Sequence, residues 1–198
     1  MIRFALAGLF LVALAAIVYV LISASGGKAP AHSLERYATG TLEKADFSTA
    51  GQPAPEGTFE DASGASVDLA SFRGKTILVN YWATWCAPCE REMPALGALQ
   101  AARGGDAFEV VAISIDSDED VDYAKRRIVE LGGGRIAFRH AALDRGDIVY
   151  GANVQGFPTT ILYGPGGLEI ARMSGEADWS APEAVQFIDA ALRQAGKR

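Results

Sequence analysis

Cysteine and histidine are almost absent from this chain, with two of each in 198 residues. A structural zinc site takes four ligands at short, fixed spacings, and His32 and His140 lie far from Cys86 and Cys89. Two cysteines cannot build the multi-bridge framework of a small disulfide scaffold, so the fold must rest on an apolar core. Methionine is scarce as well, at three residues, which with so few histidines argues against a copper carrier. No basic cluster is present: 18 basic residues against 24 acidic give a net charge of −6, with nothing to hold nucleic acid. Neither a metal nor another cofactor is expected.

Charge is missing altogether from Phe4 to Ala24. As a helix this stretch would measure about 32 Å, enough to cross a bilayer core. A cleaved signal peptide is the competing reading, with Ser23-Ala24-Ser25 small enough to be cut, but its apolar region is usually shorter. The expectation is therefore a transmembrane anchor over residues 4–24, with Arg3 ahead of it weakly placing the N-terminus in the cytoplasm. Residues 25–50, rich in Ala, Gly, Ser and Thr, are expected to be a linker. A domain is expected over 51–198, and 49% apolar residues suffice for its core.

What the chain does have is Trp85-Cys86-Ala87-Pro88-Cys89 at a junction of two patterns. Thr76 to Tyr81 is a β-branched apolar run, the mark of a strand buried on both faces. Met93, Leu96 and Leu99 then recur at helical spacing up to Gly104-Gly105, and Pro88 suits a first turn. Cysteines three apart in a first turn stand roughly 5 Å apart at Cα, within reach of a disulfide. The helix N-terminus lowers a thiol there below its free value of about 8.5, making Cys86 the attacking group and Cys89 the resolving one. Haem attachment would need histidine after the second cysteine, where Glu90 stands.

The rest of the chain predicts a small hairpin over Thr58–Leu69 and a buried strand over Phe108–Ile115. A helix follows from Asp116 to Leu131, then a short strand over Arg135–Phe138 and a helical turn over Ile148–Asn153. Two strands, Thr159–Tyr163 and Glu169–Met173, flank Gly164-Pro165-Gly166-Gly167. A final helix opens on Ser180-Ala181-Pro182-Glu183, which has the form of a capping box. The fold class is α/β: a mixed central sheet flanked by helices, with an N-terminal hairpin extension.

Asn80-Tyr81-Trp82-Ala83-Thr84 before the cysteines, Met93-Pro94 after them, and Gly156-Phe157-Pro158-Thr159 about seventy residues on together resemble the thioredoxin superfamily. The likeness runs from about Gly51 to the C-terminus and is nearest to the membrane-anchored TlpA/ResA/CcmG-type thiol-disulfide reductases. It implies a thioredoxin-like fold and a cis-proline at Pro158 beside the cysteines, with the preceding backbone pairing with an extended client segment. It also implies that Trp85, Ala87, Pro88 and Phe157 form the substrate-contacting surface. Where thioredoxin has a buried aspartate this chain has Asn80, which cannot take a proton. Glu92, one turn beyond Cys89, is the candidate to serve Cys89 instead, against the plainer reading of a solvated first-turn acid. His140 is assigned no role.

The resemblance implies a disulfide reductant of the bacterial inner membrane with its domain in the periplasm, recharged by a membrane thiol-electron donor. Its clients would be apocytochrome c or copper-site proteins of cytochrome oxidase. An oxidase or isomerase on the same fold, a dithiol copper-delivery protein and a merely structural disulfide stay open.

Overall fold

The computed structural model describes residues 34–145 and 147–196. The anchor expected at 4–24 and the first part of the linker lie outside them. Among the described residues, no helix is long and apolar enough to cross a membrane.

Strand β3 (Thr76–Trp82) is buried at every position, as its unbroken apolar run requires. It pairs in parallel with β4 (Phe108–Ser114) on one edge and antiparallel with β6 (Thr159–Tyr163) on the other. A parallel pair cannot be closed by a tight turn, and helix α1 (Ala87–Arg103) supplies the crossover. Beyond β6 lies β7 (Glu169–Ser174), joined to it by the Gly-Pro-Gly-Gly turn. On the far side β5 (Arg139–His140) links β4 to the hairpin of β1 (Thr58–Asp61) and β2 (Ser66–Asp68). The sheet order is β2-β1-β5-β4-β3-β6-β7.

Helix α1 buries Cys89, Met93, Leu96 and Leu99 and runs through Pro94. It lies so close to the end of α2 (Val121–Leu131) that a Cβ on Gly97 would stand 2.5 Å from the Gly132 carbonyl oxygen. Arg127 on α2 clasps Glu90 on α1 through two bonds, at 2.8 and 2.9 Å. Helix α4 (Pro182–Ala195) buries Ala184, Phe187, Ile188 and Ala191, and its Asp189 pairs with Arg103. A short α3 (Asp147–Gly151) precedes the second motif.

Three local expectations are corrected. The helix expected from Asp116 begins at Val121 after a 3-10 turn, because the Asp116 carboxylate is spent on Thr84 and Ser114. The strand expected at 135–138 sits at Arg139–His140, where the pairing partners Glu60 and Ser114 are found. The capping box does not form: Ser180 Oγ donates to Asp178, and the Glu183 carboxylate accepts from the Thr41 amide.

The segment read as a linker is packed on the domain from Leu34 onward. Leu34 and Leu42 are buried in the core, and Phe47 meets Phe187 edge-on at 6.2 Å. Asp46 forms a backbone bridge with Arg172, and Pro53 with Leu168, so this stretch lies along β7. Its low apolar content hid two well-spaced leucines. Leu42→Ala should therefore lower the free energy of urea unfolding by about 2–4 kcal/mol, where a solvated tether would show no change.

Candidate active site

Strand β3 ends at Trp82, and the chain must turn before α1 can start. The turn is held by Asp116, buried just beyond β4, whose carboxylate accepts from the Thr84 amide at 3.0 Å and the Thr84 hydroxyl at 2.6 Å. Ser114 Oγ donates to the same group at 2.8 Å, and His140 Nε2 lies 2.9 Å from the Asp116 carbonyl oxygen. His140 is thus a satisfied core histidine. Asp116 was not legible as a site-building residue; the signal was an acid directly after an apolar strand paired in register with the cysteine strand.

Cys86 is the N-cap of α1, and Pro88 falls in its first turn. Cys86 and Cys89 are joined in a disulfide with Cα atoms 5.3 Å apart. Cys86 Sγ accepts from the Cys89 amide at 3.3 Å, so one unpaired amide of the helix start already points at it. Cys86 reaches the surface, being 6% exposed, while Cys89 is fully covered. The helix geometry thus separates the two sulfurs into an outer and an inner one.

Around the outer sulfur the surface is aromatic. Trp85 is 60% exposed and meets Phe157 edge-on, ring centroids 5.8 Å apart. The Phe157–Pro158 peptide bond is cis. Trp82 is wholly buried packing. From Trp85 a groove of about 560 Å³ extends past Ile115, Leu143 and Tyr150, with Asp118, Glu119 and Asp144 on its walls.

One turn along the helix from Cys89 the surroundings are closed and polar. Glu92 is 3% exposed, not a solvated first-turn acid. Its Oε1 accepts from Asn80 Nδ2 at 2.6 Å, and its Oε2 from the Ala177 amide at 3.1 Å. Asn80 Nδ2 also donates to Thr160 Oγ1 at 2.9 Å, tying the carboxyl to β6 two residues after the cis bond. Burial pushes the Glu92 carboxyl up to about 7, against the pull of the Ala177 and Asn80 donors. The Trp179 indole N–H pulls the same way without meeting hydrogen-bond geometry, and the Glu176 charge pushes upward. The structure thus brings Trp85, Cys86, Ala87, Pro88, Cys89 and Glu92 onto one junction and sets Phe157 against Trp85. Ala177 and Trp179 were missed, because a loop 85 residues or more along the chain from Glu92 carries no sequence signal.

In the unfolded chain the Glu92 carboxyl ionises near 4.5, before the folded one does, so folding binds a proton between those values. Stability should fall as pH rises from about 4.5 through 7, by an amount of the order of 3 kcal/mol. Urea unfolding of the oxidised protein across this range should show the fall, and Glu92→Gln should lack it.

The Redoxin family profile matches residues 49–166. The thiol-disulfide oxidoreductase ResA of Bacillus cereus is 31% identical over 138 residues, covering 69% of this chain and 76% of that protein. The thioredoxin-like protein YneN of Bacillus subtilis is 34% identical over 112 residues, 57% of this chain and 64% of its own. Among solved structures, a thiol:disulfide interchange protein from Bacteroides sp. superposes with a TM-score of 0.61 at 26% identity, covering 73% of this chain and 90% of its own. With a Cys-x-x-Cys disulfide at the head of a helix and these relatives, the chain belongs to the Redoxin family and is a ResA-like thiol:disulfide interchange oxidoreductase of the thioredoxin superfamily.

Proposed function

We propose that the protein reduces disulfides of client proteins outside the cytoplasm, with Cys86 attacking, Cys89 resolving and Glu92 holding the proton. The observation that carries this is the division of the pair: an outer sulfur at a helix N-cap beside exposed aromatics, and an inner one on the same helix as a buried carboxyl.

In the reduced protein the Cys86 thiolate attacks one sulfur of a client disulfide, forming a mixed disulfide and releasing the other client sulfur as a thiolate. That thiolate takes a proton from the medium. Cys89 then attacks the Cys86 sulfur, displacing the second client sulfur, while the Cys89 proton passes to Glu92 and onward to the leaving group. The two electrons that reduce the client come from the Cys86/Cys89 dithiol, which ends as the disulfide described above. A thiol-electron donor in the membrane must restore it.

The reducing direction has physical support. Dithiols become oxidants when their thiolate form is specially stabilised, and a carboxylate near the inner sulfur opposes that. Trp85, Phe157 and Pro158, with Ala87 and Pro88, would seat the client backbone. The charge-free stretch at 4–24 would anchor the domain to the bacterial inner membrane, facing the periplasm. The clients are proteins of respiratory-chain maturation, apocytochrome c or the copper-site proteins of cytochrome oxidase.

In intact membranes, Cys89→Ser should accumulate a discrete mixed disulfide through Cys86, and mass spectrometry of the adduct names the client. No adduct from an alkylatable Cys86 would defeat the reductase reading. With a model disulfide substrate, Glu92→Gln should slow release of the mixed disulfide about tenfold or more at pH 7. A rate and pH profile equal to wild type would remove Glu92 from the chemistry.

A further inference from the structure

The Redoxin profile begins at residue 49, yet the chain before it reaches the inner polar site. The loop after β7 has successive amides that go to two different places. Ala177 N donates to Glu92 Oε2 at 3.1 Å, and Asp178 N donates to Thr41 Oγ1 at 2.7 Å. Thr41 is itself held from behind, since its amide donates to Glu183 Oε1 at 3.2 Å. This is why the Glu183 carboxylate is not available as a cap for α4. Next to Thr41, Gly40 has φ +56, and a Cβ there would fall 2.2 Å from the same Glu183 oxygen. Leu42, buried in the core, pins the turn in place. The other end of the loop is fixed at Gly175, whose amide donates to the Pro158 carbonyl oxygen at 2.9 Å.

We propose that Thr41 and Glu183 are positioning residues for the active-site carboxyl: the N-terminal segment fixes the 175–179 loop so that the Ala177 amide stays aimed at Glu92. This deepens the proposed role of Glu92 and rests on it only for its catalytic consequence. The direction of the effect follows from chemistry. The Ala177 amide favours the charged carboxylate, so a looser loop leaves the carboxyl more readily protonated. The other groups acting on Glu92 are Asn80 from β3, Trp179, and Glu176, which is paired with Arg91 at 2.7 Å. Among the described residues none of these is hydrogen-bonded to Thr41, and the hydrogen-bonded link from Thr41 toward Glu92 runs through Asp178 and the loop.

The test follows the Glu92 side-chain carboxyl by carbon NMR in the oxidised full-length protein. Thr41→Val should raise its titration midpoint by about half a pH unit, and Thr41→Ser, which keeps the hydroxyl, should restore it. Gly40→Ala, which pushes the Glu183 carboxylate off the Thr41 amide, should raise it too and serves if Thr41→Val does not fold. An unchanged midpoint in Thr41→Val or in folded Gly40→Ala, or equal midpoints in Thr41→Ser and Thr41→Val, would overturn the proposal. Disulfide reduction is measured separately. A shifted midpoint with an unaltered pH–rate profile would uphold the positioning and sink the catalytic role of Glu92.

Discussion

Strand β3 is hydrogen-bonded on both edges and buried along its whole length, and the chemistry is built from that constraint. Its parallel partner β4 forces the chain to cross over through a helix. The first turn of that helix must therefore lie at the end of the strand, where the amides of Ala87 to Cys89 have no backbone acceptor within the helix. A sulfur placed there meets a ready set of donors. The antiparallel partner β6 brings Pro158 to the same end, since its first residue pairs with Tyr81 near the close of β3. One strand thus sets the positions of both motifs.

The polar groups around this junction divide into two sets. On the outer side, Asp116 spends its carboxylate on Thr84 and Ser114 and fixes the turn that presents Trp85 and Cys86. On the inner side, Glu92 is held by Asn80 and Ala177 and stays buried with only neutral donors bonded to it. A carboxyl so placed binds its proton more tightly than one in water, which brings its titration close to neutral pH. The stability cost of burying it is offset by the packed apolar core around β3 and α1.

Asn80 shows how one substitution of type changes the plan of the site. A carboxylate on this strand position could take the proton itself; an amide can only donate to, or accept from, a neighbour. Here it donates to Glu92 and to Thr160, so the buried acid stands on the helix and the strand residue supports it. The loop after β7 completes the enclosure and is in turn bound to the cis-proline strand and to the segment before the family domain. Segments far apart in sequence therefore share one small polar site.

The elements whose signals are local can be read directly from the residues. Thr76 to Tyr81 had to be a buried strand because no alternation leaves a solvent face, and Pro88 with the Met93, Leu96, Leu99 spacing had to follow as a helix. That order placed Cys86 and Cys89 and with them the class of chemistry. Where side chains and loop amides from distant segments meet is set by the folded chain alone. Glu92 reads equally well as a solvated acid until Asn80, Ala177 and Trp179 close over it. Ser180 and Glu183 read as a cap until Asp178 and Thr41 take them. Leu34 and Leu42 read as part of a tether until the core receives them. Hydrogen bonding and burial are pairwise, and a linear sequence names only one member of each pair.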